Sequence, residues 1–306
     1  MSATEPSWEL YRALLAVLRE GSLSGGARAL GVVQPTVRRQ IEELEELLGA
    51  ALFARSSNGL VPTELARAAL PYAEALSSTA NALKRAVSGG GDPTKGTVRI
   101  TASEVIGIEV LPAMIADMRQ KSPGLHIELV ASNRNDDILR RDADIAVRMV
   151  EPTQIGLSRR RVGAVEIGFF AHERYLSEHP APRSMDALLK DHALIGPDSK
   201  RGREQVAALL GPGASAASFV FRSDSDVAQL AAVRAGVGVG VCQVPLSRAP
   251  VPLVRVLPTF RVDLETWLVM HEDLRSNRRV RLVFDELAAR LVRYVGGDKS
   301  KKRHQR

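Results

Sequence analysis

The sequence holds a single cysteine, Cys242, so no disulfide can close within the chain and no paired thiolates are available for a metal or a redox switch. Set in GVGVGVCQV, it is expected to be a small buried hydrophobe. Long apolar runs are also missing. None approaches the roughly 18 residues that span a bilayer, and MSATEPSWEL has neither the basic start nor the apolar middle of a secretion signal. The expectation is a cytoplasmic protein with no membrane contact. The motifs G-x-S-x-G and H-E-x-x-H are absent, and the histidines at 126, 172, 179, 192, 271 and 304 are scattered without ligand spacing. No catalytic residue, metal ligand or cofactor is therefore assigned, and the chain is not expected to be an enzyme.

What is present is enough for two or three domains: 306 residues, 45% of them hydrophobic. The net charge of +7 suits a polyanionic partner, yet its placement matters more than its sum. Lys299, Lys301, Lys302, Arg303 and Arg306 put much of the excess into a basic tail over 296–306, expected to be disordered. Residues 1–64 carry six arginines against eight glutamates. Any case for nucleic acid must rest on where those arginines stand.

They stand on the segment QPTVRRQIEELEELL. Val37, Ile41, Leu44 and Leu48 fall on one stripe of a helix whose first position goes to Pro35, where a missing N–H costs nothing. Thr36, Arg38, Arg39 and Gln40 are left pointing outward at its N-terminal end. A helix-turn-helix places such residues in the DNA major groove, where Arg and Gln form bidentate pairs with base edges. A first helix over Trp8 to Glu20, a second short helix through Leu30 capped by Ser24, and the turn Gly31, Val32, Val33 supply the rest of that motif. Ser56 to Gly59 carries an Asn-Gly hairpin signal, a wing on which Arg55 suits a phosphate or minor-groove contact. Thr63 caps a helix to about Ser88, along which Ala69, Ala73, Leu76, Ala80, Leu83 and Val87 form a heptad seam that wants a twin helix. A glycine-rich flexible hinge follows at 89–96. Gly91 and Gly96 have phosphate-loop spacing, but Thr97 replaces the lysine and no strand precedes them.

Residues 8 to 66, and more loosely the chain to about 295, resemble the LysR-type transcriptional regulators. The family pattern runs S-x-S-x-A-A-x-x-L, Q-P-A-V-S-x-Q-I, L-E-x-x-L-G-x-x-L-F-x-R, then a wing ending in L-T. Ser22, Leu23, Ser24, Leu30, Gln34, Pro35, Val37, Gln40, Ile41, Leu44, Glu45, Leu48, Gly49, Leu52, Phe53, Arg55 and Thr63 match it here. The departures are Gly25 and Gly26 for alanines, Val33 for the usual cap serine, Arg38 for the second serine, and Pro62 and Ala66 near the wing's end. Two helical glycines cost roughly 1 kcal/mol each against alanine, so a loose second helix is expected.

From Thr97 the pattern alternates strands and helices: strands at Val98 to Ala102, Leu125 to Val130 and Asp144 to Val147, with helices over Val105 to Gln120 and Asp136 to Arg141, make a βαβαβ unit. A second unit follows with strands at Val165 to Ala171, Ala193 to Ile195, Phe219 to Phe221 and Val239 to Gln243 and helices over Ser184 to Lys190 and Asp226 to Ala235, and Thr266 to Met270 and Arg278 to Val295 return to the first. The fold class expected is α/β with an N-terminal all-α winged helix-turn-helix. The domains are 1–63 for DNA binding, 64–88 for a dimerisation helix, 89–96 for the hinge and 97–295 for an effector-binding domain. Its lobe I is 97–164 with 267–295, and its lobe II is 165–266. The resemblance implies a two-lobed, periplasmic-binding-protein-like layout for that domain. Ligands bind beyond the carboxyl ends of such strands, which points to Ser103, Arg148 and Ser223, with Ser199, Lys200 and Arg201 as weaker candidates for an anionic effector. Gly236, Gly238 and Gly240 imitate a dinucleotide fingerprint in the wrong order of elements.

The expected function is a sequence-specific DNA-binding transcriptional regulator that binds a dyad-symmetric promoter operator as a homodimer or pair of dimers and senses a small anionic effector. Gln34, Thr36, Arg38 and Gln40 would read bases, beside Pro35, while Ser22, Ser24, Arg39 and Arg55 hold phosphates. The rival is a small-molecule binding protein or enzyme whose first ninety residues serve only assembly.

Overall fold

Leu10, Ala13, Leu14 and Val17 recur at helical spacing, and in the computed structural model they form the buried face of α1 (Trp8–Glu20). The structure describes residues 5–56, 59–133, 143–154, 156–210 and 219–296. They fall into two compact units that divide between Arg85 and Ala86. In the first, α2 (Leu23–Leu30) and α3 (Gln34–Leu48) are separated by Gly31 to Val33, and Gly31 (φ 69°) makes the left-handed stop. One core gathers Leu10, Leu14, Val17, Ala27, Val37, Ile41, Leu44 and Leu52. Leu48, expected on the buried stripe, is instead 45% exposed. It lies in the last turn before Gly49, and Leu47 and Leu52 close the core at that end.

The wing is present: β1 (Phe53–Ser56) pairs antiparallel with β2 (Gly59–Pro62). The Asn-Gly turn expected between them involves Ser57 and Asn58, which lie outside the described residues. Thr63 then caps α4 (Glu64–Val87), its Oγ1 accepting from Ala66 N at 3.2 Å and donating toward the carbonyls of Ala51 and Leu52. The glycine-rich segment after α4 is a set of hydrogen-bonded turns rather than open coil. Asp92 Oδ1 accepts from Thr94 N (2.9 Å) and Oγ1 (2.7 Å), and Arg279 donates to the carbonyls of Ala86, Ser88 and Lys95.

In the second unit β3 (Gly96–Ala102) lies between β4 (Leu125–Ala131) and β5 (Ile145–Arg148), all parallel, as a βαβαβ unit requires. The helix expected over Val105 to Gln120 opens with a π-helical turn, Ile106–Val110, before α5 (Leu111–Lys121). The short helix expected at Asp136 to Arg141 lies outside the described residues. The strand expected at Val165 to Ala171 is the second half of a longer one, β6 (Leu157–Ala171). Arg159, Arg160 and Arg161 hide its first half from a hydrophobicity pattern because they face solvent and pair with Glu151, Asp285 and Glu265. There follow α6 (Glu173–Leu176), α7 (Met185–Asp191), β7 (Leu194–Gly196), α8 (Lys200–Leu210), β8 (Phe219–Arg222), α9 (Asp226–Arg234), β9 (Gly240–Gln243), β10 (Val254–Val256), β11 (Val262–His271) and α10 (Arg278–Gly296).

β6 pairs with β11 along its length, while β11 also pairs with β5, and the end of β6 with β9 and β10. These two long strands therefore carry hydrogen bonding from the parallel strands to the second lobe. The register slips at Thr266 and Trp267 opposite Gly163 and Arg161, close to the lobe boundaries expected at 164 and 266. No helix among the described residues is long and apolar enough to cross a membrane.

Candidate nucleic-acid interface and effector cleft

Ser22, not Ser24, caps α2: its Oγ accepts from Gly25 N at 3.0 Å, and Ser24 is an exposed residue inside the helix. The expectation for Ser24 is corrected by backbone geometry, since Ser22 holds the extended conformation of a cap (φ −159°, ψ 154°). The glycines expected to loosen α2 do the opposite. A Cβ at Gly25 would stand 2.7 Å from Glu20 Cβ and 2.9 Å from the capping Ser22 Oγ, and one at Gly26 would stand 3.0 Å from Val17 Cγ2. The missing side chains let α2 sit tight against α1.

α3 begins without a side-chain cap, with Val33 at the cap position and 68% exposed. Pro35, the second residue of the helix rather than the first, has no N–H to satisfy, and Thr36 N donates to Val33 O at 3.0 Å. Two of the helix's leading donors are thus accounted for without a serine. Arg38 and Arg39 are exposed, and among the described residues no ion pair holds either. Gln34, Thr36 and Gln40 are half-buried, and Gln40 Oε1 is enclosed without a hydrogen bond. The outward ridge is therefore led by the two arginines. At the other end of α3 the carboxylate of Glu45 accepts from Leu52 N (2.6 Å) and Phe53 N (3.0 Å), fastening the wing to the helix. Sequence reasoning assigned no role to Glu45; an acid ahead of an αL glycine and a β-run is the signal it left. Arg55 lies on β1 opposite Leu60.

Along α4 the expected seam is shifted. Ala73 is buried against its own unit, whereas Leu65, Tyr72, Leu76, Leu83 and Val87 are exposed, at spacings of seven, four, seven and four. That row is continuous on one face of a helix, and Tyr72 is 75% exposed.

In the second unit Ser103 follows β3, its N–H bonded to Val147 O (3.3 Å) and its Oγ enclosed without a hydrogen-bond partner among the described residues. Arg148 is 3% exposed, and donates to its neighbour's carbonyl and to Thr101 Oγ1 (2.9 Å). Burial beneath the strand ends leaves little of it for a ligand. Ser223, expected to open α9, instead accepts from Ser225 N at 3.2 Å; Ser225 is the cap, accepting from Ala228 N. Ser199 caps α8 through Gly202 N (3.2 Å), while Lys200 and Arg201 lie exposed on that helix. Asp224 accepts from the N–H groups of Asp198 and Ser199, and the bonds from Ser199 hold its carboxyl below the usual range.

Tyr294 Oη donates to Gln243 Oε1 (2.6 Å) across the lobes, and three further ties run from lobe I to α9 and its cap. Ser225 Oγ donates to Glu104 Oε2 (3.0 Å), Asn133 Nδ2 donates to Asp226 Oδ2 (3.1 Å), and Arg234 forks onto both Glu109 oxygens at 2.9 Å each. Desolvation at this junction raises the Asp226 pKa, with Glu104 and Asp224 adding like charge. A cavity of about 170 Å³ opens beside it, lined by Val105, Ile167, Asp226, Gln229, Cys242 and Gln243 among others, and by none of the six residues expected to hold an effector. Burial pushes the Cys242 thiol up to about 12, so it stays protonated at neutral pH.

Two family models match the chain: "Bacterial regulatory helix-turn-helix protein, lysR family" over residues 8–67, and "LysR substrate binding domain" over residues 91–292. The chain is 29% identical to a Mau operon transcriptional activator of Paracoccus denitrificans over 58% of its own length and 64% of that protein's. It is 27% identical to an HTH-type transcriptional regulator of Xanthomonas campestris, over 56% of its own length and half of that protein's. Among solved structures, full-length CbnR in complex with its target DNA aligns with a TM-score of 0.65 at 18% identity, over 93% of this chain and 99% of that one, a likeness of fold.

Proposed function

The chain belongs to the lysR family of bacterial regulatory proteins, and from that premise we propose that it is a cytoplasmic, sequence-specific DNA-binding transcriptional regulator. The family is one of regulators rather than enzymes. The observation that carries the reading is the ridge of α3: a helix buried on Val37, Ile41 and Leu44 presents Arg38 and Arg39 to solvent, free of ion pairs among the described residues. Arg38, with Gln34, Thr36 and Gln40, reads base edges. Ser22, Ser24, Arg39 and Arg55 hold phosphates beside Pro35. Capping does not remove Ser22 from this set, because its Oγ accepts from Gly25 N and keeps its own proton to donate.

The exposed row on α4 fits a second copy of the same helix, and a homodimer, or a pair of dimers, places two such ridges on a dyad-symmetric operator. Retardation of a duplex from the chain's own upstream region is expected, with steep salt dependence; no shift at about 50 mM salt would overturn the reading.

The effector enters between the lobes. An oxyanion is supported by the unsatisfied Ser103 hydroxyl. A second reading of its charge, neutral or cationic, is favoured by the acidic junction of Glu104, Asp224 and Asp226. Thermal-shift titration with matched pairs of carboxylic acids and their amides separates the two, and Ser103→Ala should abolish the response only if the hydroxyl receives the ligand.

A further inference from the structure

The arginines that hide the first half of β6 frame a pocket that the regulator reading does not use. It is a concavity of about 270 Å³ on lobe I, lined by Ser158, Arg159 and Arg160 of β6, by Arg275, and by Arg281 and Asp285 of α10. Four arginines thus line one space. Arg159 is answered outside it by Glu151 (3.3 Å) and by the Pro152 carbonyl (2.7 Å). Asp285, the lining carboxylate, is shared by Arg160 at 3.5 Å and Arg281 at 3.7 Å. Both distances are well beyond the roughly 2.7 to 2.9 Å of a good charge-assisted bond. Arg275 has no hydrogen bond or ion pair among the described residues.

The backbone adds to the surplus. α10 begins at Arg278, and its first turn holds Arg278, Arg279 and Arg281 with no acidic residue. Cations there oppose the positive end of the helix dipole. A fold that gathers like charge around an open space, and leaves one of those charges without a partner, bears an electrostatic cost that a bound anion would offset.

We propose that this pocket binds a small polyvalent oxyanion of the phosphate class, at a site separate from the effector cleft. Arg275 and Arg281 clamp the anion's oxygens from one side, Arg160 neutralises it from the other, and the Ser158 hydroxyl donates a hydrogen bond. The volume sits just under the roughly 300 Å³ at which drug-sized pockets begin, which fits pyrophosphate or the phosphate end of a phosphorylated metabolite. The same chemistry could come from a DNA backbone. The commitment here is to the free anion, because a pocket this small admits a terminal phosphate more readily than one held within a duplex.

The test is calorimetric titration of the full chain with pyrophosphate at fixed ionic strength, without DNA. One saturable site per chain is expected. Arg275→Ala should weaken it at least tenfold without lowering the melting temperature, since that side chain has no partner among the described residues. The double variant Arg275→Lys/Arg281→Lys keeps the charge but not the fork, and should fall between the two. Absence of saturable binding, or binding indifferent to Arg275→Ala, overturns the proposal. So does loss of operator affinity in Arg275→Ala with pyrophosphate absent, because that outcome assigns the pocket to the DNA backbone. The calorimetric readouts contain no DNA and do not depend on how α3 meets it, so the failure of either proposal is distinguishable from the failure of the other.

Discussion

Arg38 stands where the family pattern has a serine, and its role turns on what lies opposite its guanidinium. Against a guanine edge, Arg38→Ala should relax preference at one operator position by about 1 to 3 kcal/mol; against a phosphate, it should weaken all sequences alike. Affinities over a set of point-mutated operators decide between them. Asp226 carries a prediction with a sign. Its folded pKa is raised above the ordinary carboxylate value, so its ionisation costs stability, and the cost appears as pH rises through the folded pKa. Asp226→Asn should therefore melt higher than the parent at pH 7 and match it near pH 3, where both side chains are neutral. Cys242 should resist alkylation in the native protein at pH 8 and react only on unfolding, as its burial and raised pKa require. That buried thiol was legible from its glycine and valine neighbours. The caps were legible only to within two residues, because Ser22 and Ser24, like Ser223 and Ser225, are chemically equivalent, and backbone conformation alone selects one of each pair.

At the level of elements, the three helices and the wing could be read from apolar spacing and turn chemistry because each buries one face against its own neighbours. What composition hid was close approach. Two glycines read as looseness turn out to be contact points. Gly25→Ala gains up to about 1 kcal/mol of helix propensity but forces a methyl into Glu20 and the Ser22 cap. A net loss of about 1 to 3 kcal/mol is expected, seen as a lower urea midpoint of the helical signal. The seam of α4 was found in period, with Leu76, Leu83 and Val87 exposed where it placed them, but alanine satisfies a buried and an exposed heptad position equally, and Ala73 went inward and Tyr72 outward. Leu76→Glu with Leu83→Glu should turn the homodimer into monomers by sedimentation velocity and abolish binding to a full operator. Among the missed elements, α8 and the first half of β6 have polar or arginine-rich faces, while α6 and β10 are only four and three residues long, too short to show a period.

For the molecule as a whole, alternation of strands and helices was enough to foresee a parallel sheet, while the joining of the lobes was not. Interlobe ties run between residues far apart in the chain, Glu104 with Ser225 and Glu109 with Arg234 by more than a hundred positions, and no local pattern reports such partners. The effector residues were legible only as strand ends: Ser103 and Arg148 follow β3 and end β5 as expected, but how deeply each side chain is enclosed depends on partners such as Thr101 that no local pattern reports. The Glu109 and Arg234 fork has a kinetic consequence. A molecule entering between the lobes beside α9 must wait for that fork and the lighter ties around it to part. Its observed association rate in stopped flow should then climb with concentration only to a ceiling, the frequency at which the lobes spread unaided. Arg234→Lys, which cannot grip both oxygens, should lift that ceiling, so the speed of the protein's response would be set by a guanidinium that takes no part in reading DNA.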